Sequence, residues 1–196
     1  MHLSWARDKF EEAKAAGYVA MAVTAEVPVN ARRERGMNNP SAARRTTGRD
    51  MGDRVARASM NWDTLGKMRE MWTGPFMLKG VQTPADAAIA VQHNVDFVWI
   101  SNHGGRQLDH AIGTMDRLRQ IVEAVDGKAQ VIVDGGVQRG CDVLKAIALG
   151  ARAVAIGKLQ GWGLGAGGKD GLVRALQVLE AEIRRRHGPT RRNPSR

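Results

Sequence analysis

Apolar residues recur along this chain in two rhythms, and the alternation between them sets out its elements. From Leu3 to Ala16, Trp5, Phe10, Ala13 and Ala16 stand apolar among Lys, Arg and Glu. That spacing predicts an amphipathic helix, which Gly17 stops. Short continuous apolar runs predict buried strands at Tyr18–Thr24, Pro75–Lys79, Asp96–Ile100, Gln130–Asp134 and Ala153–Gly157. Between them, helical patterns cover Thr64–Met71 with Asp63 as cap, Pro84–His93 with Thr83 as cap, and Thr114–Val125. Two more follow, one running through Leu149 to a stop at Gly150 and one over Leu172–Arg185. Residues 30–58 keep no period, carry many arginines and the turn-prone Asn38-Asn39-Pro40, and read as a functional lid or a disordered stretch.

Strand followed by helix, repeated with near-continuous apolar strands, predicts an α/β fold on a parallel sheet. Polar and glycine residues gather just after every strand: Thr24 and Glu26, Lys79-Gly80, His103 and Arg106, Asp134-Gly135-Gly136, and Gly157-Lys158. In a TIM-type barrel all such ends lie on one face and build one site, whereas an open doubly wound sheet concentrates its site at a switch point. Five loaded strand ends favour the (β/α)8 barrel. An incomplete barrel is expected, with about five β/α units present.

Composition narrows the class. At 196 residues with 43% hydrophobic content, the chain suits one soluble domain with a real core. The domain is expected over 1–186, followed by a basic, disordered tail over 187–196. No apolar run is long enough to span a membrane, and the mixed-charge amino terminus lacks a signal-peptide core. The lone Cys141 excludes an internal disulfide and fits a cytoplasmic setting. The net charge of +10 is confined to two segments: residues 184–196 hold six arginines and no acid, and 32–57 hold eight arginines against three acids. No aromatic residues interleave there, so a specific nucleic-acid partner is not expected, and an Arg-rich binding module is the weakest reading.

The chemistry concentrates in Ile100–Asp109, I-S-N-H-G-G-R-Q-L-D. Gly104-Gly105 permit a tight loop past a strand end, and place an imidazole three residues from a guanidinium. His103 can accept a proton near neutral pH, and Arg106 can fork onto a carboxylate. Lys79, at a strand terminus, can stabilise developing negative charge. Asp134-Gly135-Gly136 and Gly157-Lys158 read as a phosphate cradle of backbone N–H groups with a basic side chain. Gly163, Gly165 and Gly168 spell G-x-G-x-x-G, but neither a preceding strand nor a following acid-bearing strand supports a dinucleotide site. His2, His93, His110 and His187 lack partners at ligand spacing and read as structural or surface groups. No metal site is expected.

S-N-H-G-G-R-Q-L-D resembles the active-site signature of the FMN-dependent 2-hydroxy acid oxidases and dehydrogenases, the glycolate oxidase and flavin lactate dehydrogenase family. The resemblance extends from about Phe10 to about Ile183, with one poorly matching insertion. It implies FMN as cofactor and oxidation of an L-2-hydroxy acid to the 2-oxo acid. It assigns His103 as the base and Glu26, where the family usually has aspartate, as partner of the imidazolium. Arg33 and Arg106 would bind the substrate carboxylate. Thr24, Lys79 and Ser101 match flavin contacts, and Asp134, Gly135, Gly136, Val137, Gln138, Gly157 and Lys158 match the phosphate loops. Gln138 and Lys158 stand where the family commonly has arginines. W-G-L-x-A-G-G matches the glycine-rich turn after the family's last strand.

The family's first three strands, with a substrate-binding tyrosine and several flavin contacts, have no counterpart that can be placed here, so the resemblance implies that the units present are about the last five. A catalytically silent partial domain is therefore the competing reading. Self-association through the open sheet is expected in either case.

Overall fold

The computed structural model describes residues 3–27 and 60–187. Residues 30–58, Arg33 among them, and the tail beyond His187 lie outside the described residues. The elements run α1 (Leu3–Ala15), β1 (Met21–Thr24), α2 (Trp62–Glu70), β2 (Phe76–Val81), α3 (Pro84–Gln92), β3 (Phe97–Ile100), α4 (Thr114–Val125), β4 (Gln130–Asp134), α5 (Gly140–Ala148), β5 (Ala153–Ala155) and α6 (Lys158–His187).

All five strands pair in parallel, in the order β1-β2-β3-β4-β5. A doubly wound sheet would reverse its strand order at the switch point, and this one does not. The order is that of consecutive units in a TIM-type barrel wall, and five units stand against the eight of the closed fold. The core lies between sheet and helices: Phe76, Leu78, Val98, Ile100, Val131 and Val133 from the strands meet Leu65, Met68, Ala87, Ala90, Leu118 and Ile121 from α2, α3 and α4. Phe10 of α1 joins it edge-on to Trp72 and Phe76. No described helix is long and apolar enough to cross a membrane.

Several boundaries differ from the pattern in the sequence. β1 begins at Met21 rather than Tyr18, because Tyr18 and Val19 are 68% and 81% exposed and only lead into the sheet. Asn61, not Asp63, caps α2: its side chain accepts from the Thr64 N–H, which places Asp63 in the first turn where it favours the helix dipole. Thr83 caps α3 as the pattern predicts, with Pro84 in the first turn. The largest difference is α6, which starts at Lys158 and is broken at Gly167 and Gly168. The W-G-L-x-A-G-G segment is therefore helical up to that break, not a turn. Its glycines permit close packing: a Cβ on Gly163 would press on the Gly171 carbonyl and on Ala175 across the break. That contact accounts for Gly163, and the positive φ of 57° at the break accounts for Gly168.

Candidate active site

The loaded strand ends lie on one rim, and four of the side chains singled out in the sequence meet at one carboxylate oxygen. Glu26 follows β1 and is only 8% exposed. Its Oε1 is in contact with Nζ of Lys79, which lies inside β2 rather than at the strand end expected from the sequence; it accepts from Ser101 Oγ at 3.1 Å, and lies 3.2 Å from His103 Nδ1. Lys79 Nζ also donates to Ser101 Oγ at 3.0 Å and lies 3.9 Å from Asp134 Oδ2 at the end of β4. Parallel register makes this possible. Thr24, Lys79 and Trp99 stand level across β1, β2 and β3, so residues just past these strands converge.

The local backbone is shaped for the same purpose. His103, Gly104 and Gly105 are consecutive left-handed residues, with φ of 57°, 67° and 67°. For a histidine that conformation is unfavourable. It is held by the His103 N–H donating to Ser101 Oγ at 3.1 Å and by Gly105 N–H donating to Asn102 Oδ1 at 3.0 Å. Ser101, fully buried, thus serves Lys79, Glu26 and the His103 backbone at once. Burial lowers the Lys79 pKa from its ordinary value, and the Asp134 carboxylate opposes that shift.

The second cluster follows β4 and β5, which are neighbours. Gly135 and Gly136 have φ of 94° and 72°, and the space that a Cβ would take on Gly136 or Gly157 is open. Val137 is buried beneath the loop, and Gln138 is exposed. Lys158 opens α6 with its Cε beside Gly104, so the basic group adjoins the signature loop. At the α5 terminus the donors are already engaged: Asp142 Oδ2 accepts from Gln138 N–H and Arg139 N–H, and Glu182 Oε2 accepts from Gly140 N–H. Arg139 pairs with Glu182 at 2.6 Å, so its guanidinium is turned to α6. An anion here would rest on the Gly135-Gly136 and Gly157-Lys158 backbone rather than on that helix end. Open glycine backbone, an adjacent lysine and a half-buried cation at β2 fit a phosphorylated flavin.

Two supporting residues were not singled out in the sequence. Trp99 donates its indole N–H to Asp134 Oδ2 at 3.1 Å, and Thr114 donates its hydroxyl to the Asp134 carbonyl. The Trp99 signal was legible in principle, since a strand tryptophan brings an N–H that needs a partner. His93 stacks on Trp62, a structural role as its isolation suggested. No cluster able to hold a metal occurs among the described residues.

A parallel β/α wall with its ionisable and glycine residues on one rim defines the class: a barrel-type scaffold whose one face gathers an imidazole, a half-buried lysine and two open glycine loops. The sequence model of the FMN-dependent dehydrogenases matches residues 2–186, and the chain belongs to that family. An L-lactate oxidase from Nostoc sp. is 38% identical over 194 residues, covering 88% of this chain and 53% of that protein. Mouse 2-hydroxyacid oxidase 1 is 47% identical over 126 residues, covering 64% of this chain and 34% of that protein. A soluble mutant of the membrane-associated (S)-mandelate dehydrogenase from Pseudomonas putida superposes with a TM-score of 0.81 at 35% identity, covering 95% of this chain and 57% of that one. The chain spans about half the length of the relatives it matches most fully.

Proposed function

We propose that this chain carries the proton-handling face of an FMN-dependent 2-hydroxy acid oxidoreductase, converting an L-2-hydroxy acid of the lactate or glycolate kind to its 2-oxo acid. The observation that carries the reading is the convergence of His103, Lys79 and Ser101 on Glu26 Oε1. FMN, when bound, supplies the two-electron acceptor. With Nδ1 turned to Glu26, His103 accepts the proton that the substrate loses at Nε2, and Glu26 stabilises the resulting imidazolium. Arg106 and Arg33 clamp the substrate carboxylate, which aligns the carbon to be oxidised. Lys79, Ser101 and Thr24 would hold the flavin ring, where the Lys79 ammonium would favour negative charge. Asp134, Gly135, Gly136, Val137, Gln138, Gly157 and Lys158 hold the phosphate end. Residues 1–186 form one domain with 187–196 as a basic tail; the setting is cytoplasmic, and copies of the chain associate.

The test is stopped-flow reduction in a chimera that joins this chain to the first three strand–helix units of a related oxidase. L-lactate or glycolate should bleach the flavin absorbance. His103→Ala should remove bleaching by at least about a hundredfold while leaving the flavin bound. Unchanged bleaching in that variant removes His103 from the mechanism, and a colourless chimera removes the cofactor assignment.

A further inference from the structure

Three donors address one oxygen of Glu26 while its other oxygen has none. Lys79 Nζ, Ser101 Oγ and His103 Nδ1 all address Oε1. Oε2 is buried and has no hydrogen-bond partner among the described residues. A carboxylate oxygen has two lone pairs, so three donors on one oxygen compete. Turning Oε2 inward to share them is hindered by the packing that surrounds it. The main chain bulges at Gly80, where φ is 108° and the β2–β3 register shifts, and Glu26 Oε2, N and Cβ occupy the space that a Cβ on residue 80 would need. Glu26 also lines a cavity of about 370 Å³, together with Trp62, Leu78, Leu108, Gln82 and Gln107. Among the described residues, none of that wall gives Oε2 a hydrogen bond.

Resting on the reading of His103 as the base, we propose that Lys79 is a positioning residue for that base: it tunes the basicity of His103 by competing for the single oxygen of Glu26 that both address. The lysine role implied by the resemblance concerns the flavin; this second role acts before any cofactor is bound. The chemistry follows from charge. A lysine ammonium drawn onto Oε1 takes negative potential away from the imidazolium and makes His103 a weaker base. Removing the ammonium returns the whole carboxylate to His103. Other charged groups face the pair from every side. Asp134 lies across Lys79, Arg106 shares the His103 loop, Lys158 adjoins Gly104, and Asp86 stands on the cavity wall shared with Glu26. All of them stay constant in the comparison that follows.

The experiment is site-resolved modification of His103 by diethylpyrocarbonate in the flavin-free chimera of this chain with the first three strand–helix units of a related oxidase, read by peptide mass spectrometry across pH. Only the neutral imidazole reacts, so the midpoint reports the basicity of His103. Lys79→Met should move that midpoint up by about one pH unit, and Lys79→Arg should leave it near the original. If the Met variant does not fold, Lys79→Gln keeps a donor for Ser101 and should give the same upward move. In a Glu26→Gln background the midpoint should fall, and the effect of removing Lys79 should shrink to less than half. A midpoint unmoved by loss of the Lys79 charge overturns the proposal. So does an equal shift in both backgrounds, which would mean plain charge repulsion without a shared oxygen. Neither result bears on flavin bleaching, so failure here is distinct from failure of the oxidoreductase reading.

Discussion

At the scale of single residues, Gly80 and Glu26 form a matched pair. The glutamate is one methylene longer than the aspartate usual in the family, and its carboxylate is seated against a glycine with φ of 108°. Gly80→Ala would put a Cβ into Glu26 and force an unfavourable backbone angle. It should cost about 2 kcal/mol or more in urea unfolding. The proposed phosphate cradle carries a second prediction. Gln138 and Lys158 stand where the family resemblance would place forked arginine donors, and offer an exposed amide and a point charge instead. Gln138→Arg with Lys158→Arg should tighten FMN binding by at least about tenfold in a flavin titration. Equal or weaker affinity would mean that other groups have rebuilt the cradle.

At the scale of elements, α5 is held at its start by carboxylates of the protein itself. Partial burial pushes the Asp142 carboxyl up, but the N–H groups of Gln138 and Arg139 and the nearby Lys145 outweigh it and hold it below the ordinary aspartate value. A carboxyl whose pKa is lower in the folded state adds stability above the unfolded value, near pH 4, and loses it as pH falls through the folded value. Asp142→Asn should therefore cost about 1 kcal/mol at pH 7 and almost nothing near pH 2. Parallel urea titrations at the two pH values check this, and an equal loss at both would rule out the charge as the cause. Gly140 allows the same end of α5 to pack directly on the Leu179 carbonyl and Glu182 of α6, so cap and packing depend on each other.

At the scale of the whole molecule, the described sheet has two edges, β1 and β5, each paired on one side only among the described residues. Tyr18 and Val19 lead into the first edge, and Trp162, Leu164 and Leu176 stand exposed on α6 beyond the second. Unpaired edges and exposed apolar side chains favour association. The chain alone should elute from a sizing column as oligomers or aggregates, with little bound FMN and negligible turnover. Adding the first three strand–helix units of a related enzyme should restore both solubility and a flavin spectrum. A yellow, monodisperse monomer that turns over lactate would refute this expectation.

The sequence by itself determined the order of strands and helices, the parallel sheet and the identity of the chemical groups. Apolar runs such as Val131–Val133 and caps such as Thr83 are local signals, carried by periodicity and by side chains that bond their own backbone. S-N-H-G-G-R determined which loop to inspect, because its residue types name the chemistry wherever the loop lies. Local signals were weakest at boundaries. Tyr18 and Val19 are strand formers by type, yet no neighbouring strand pairs with them. Only the tertiary structure decided what meets what. That Lys79 and His103 address the same oxygen of Glu26, from residues 53 and 77 positions away, depends on register across β1, β2 and β3. Likewise, only packing across the break in α6 revealed why residue 163 is a glycine. Distances of that kind are set by hydrogen-bond ladders and by close packing between elements, and no stretch of sequence contains both partners.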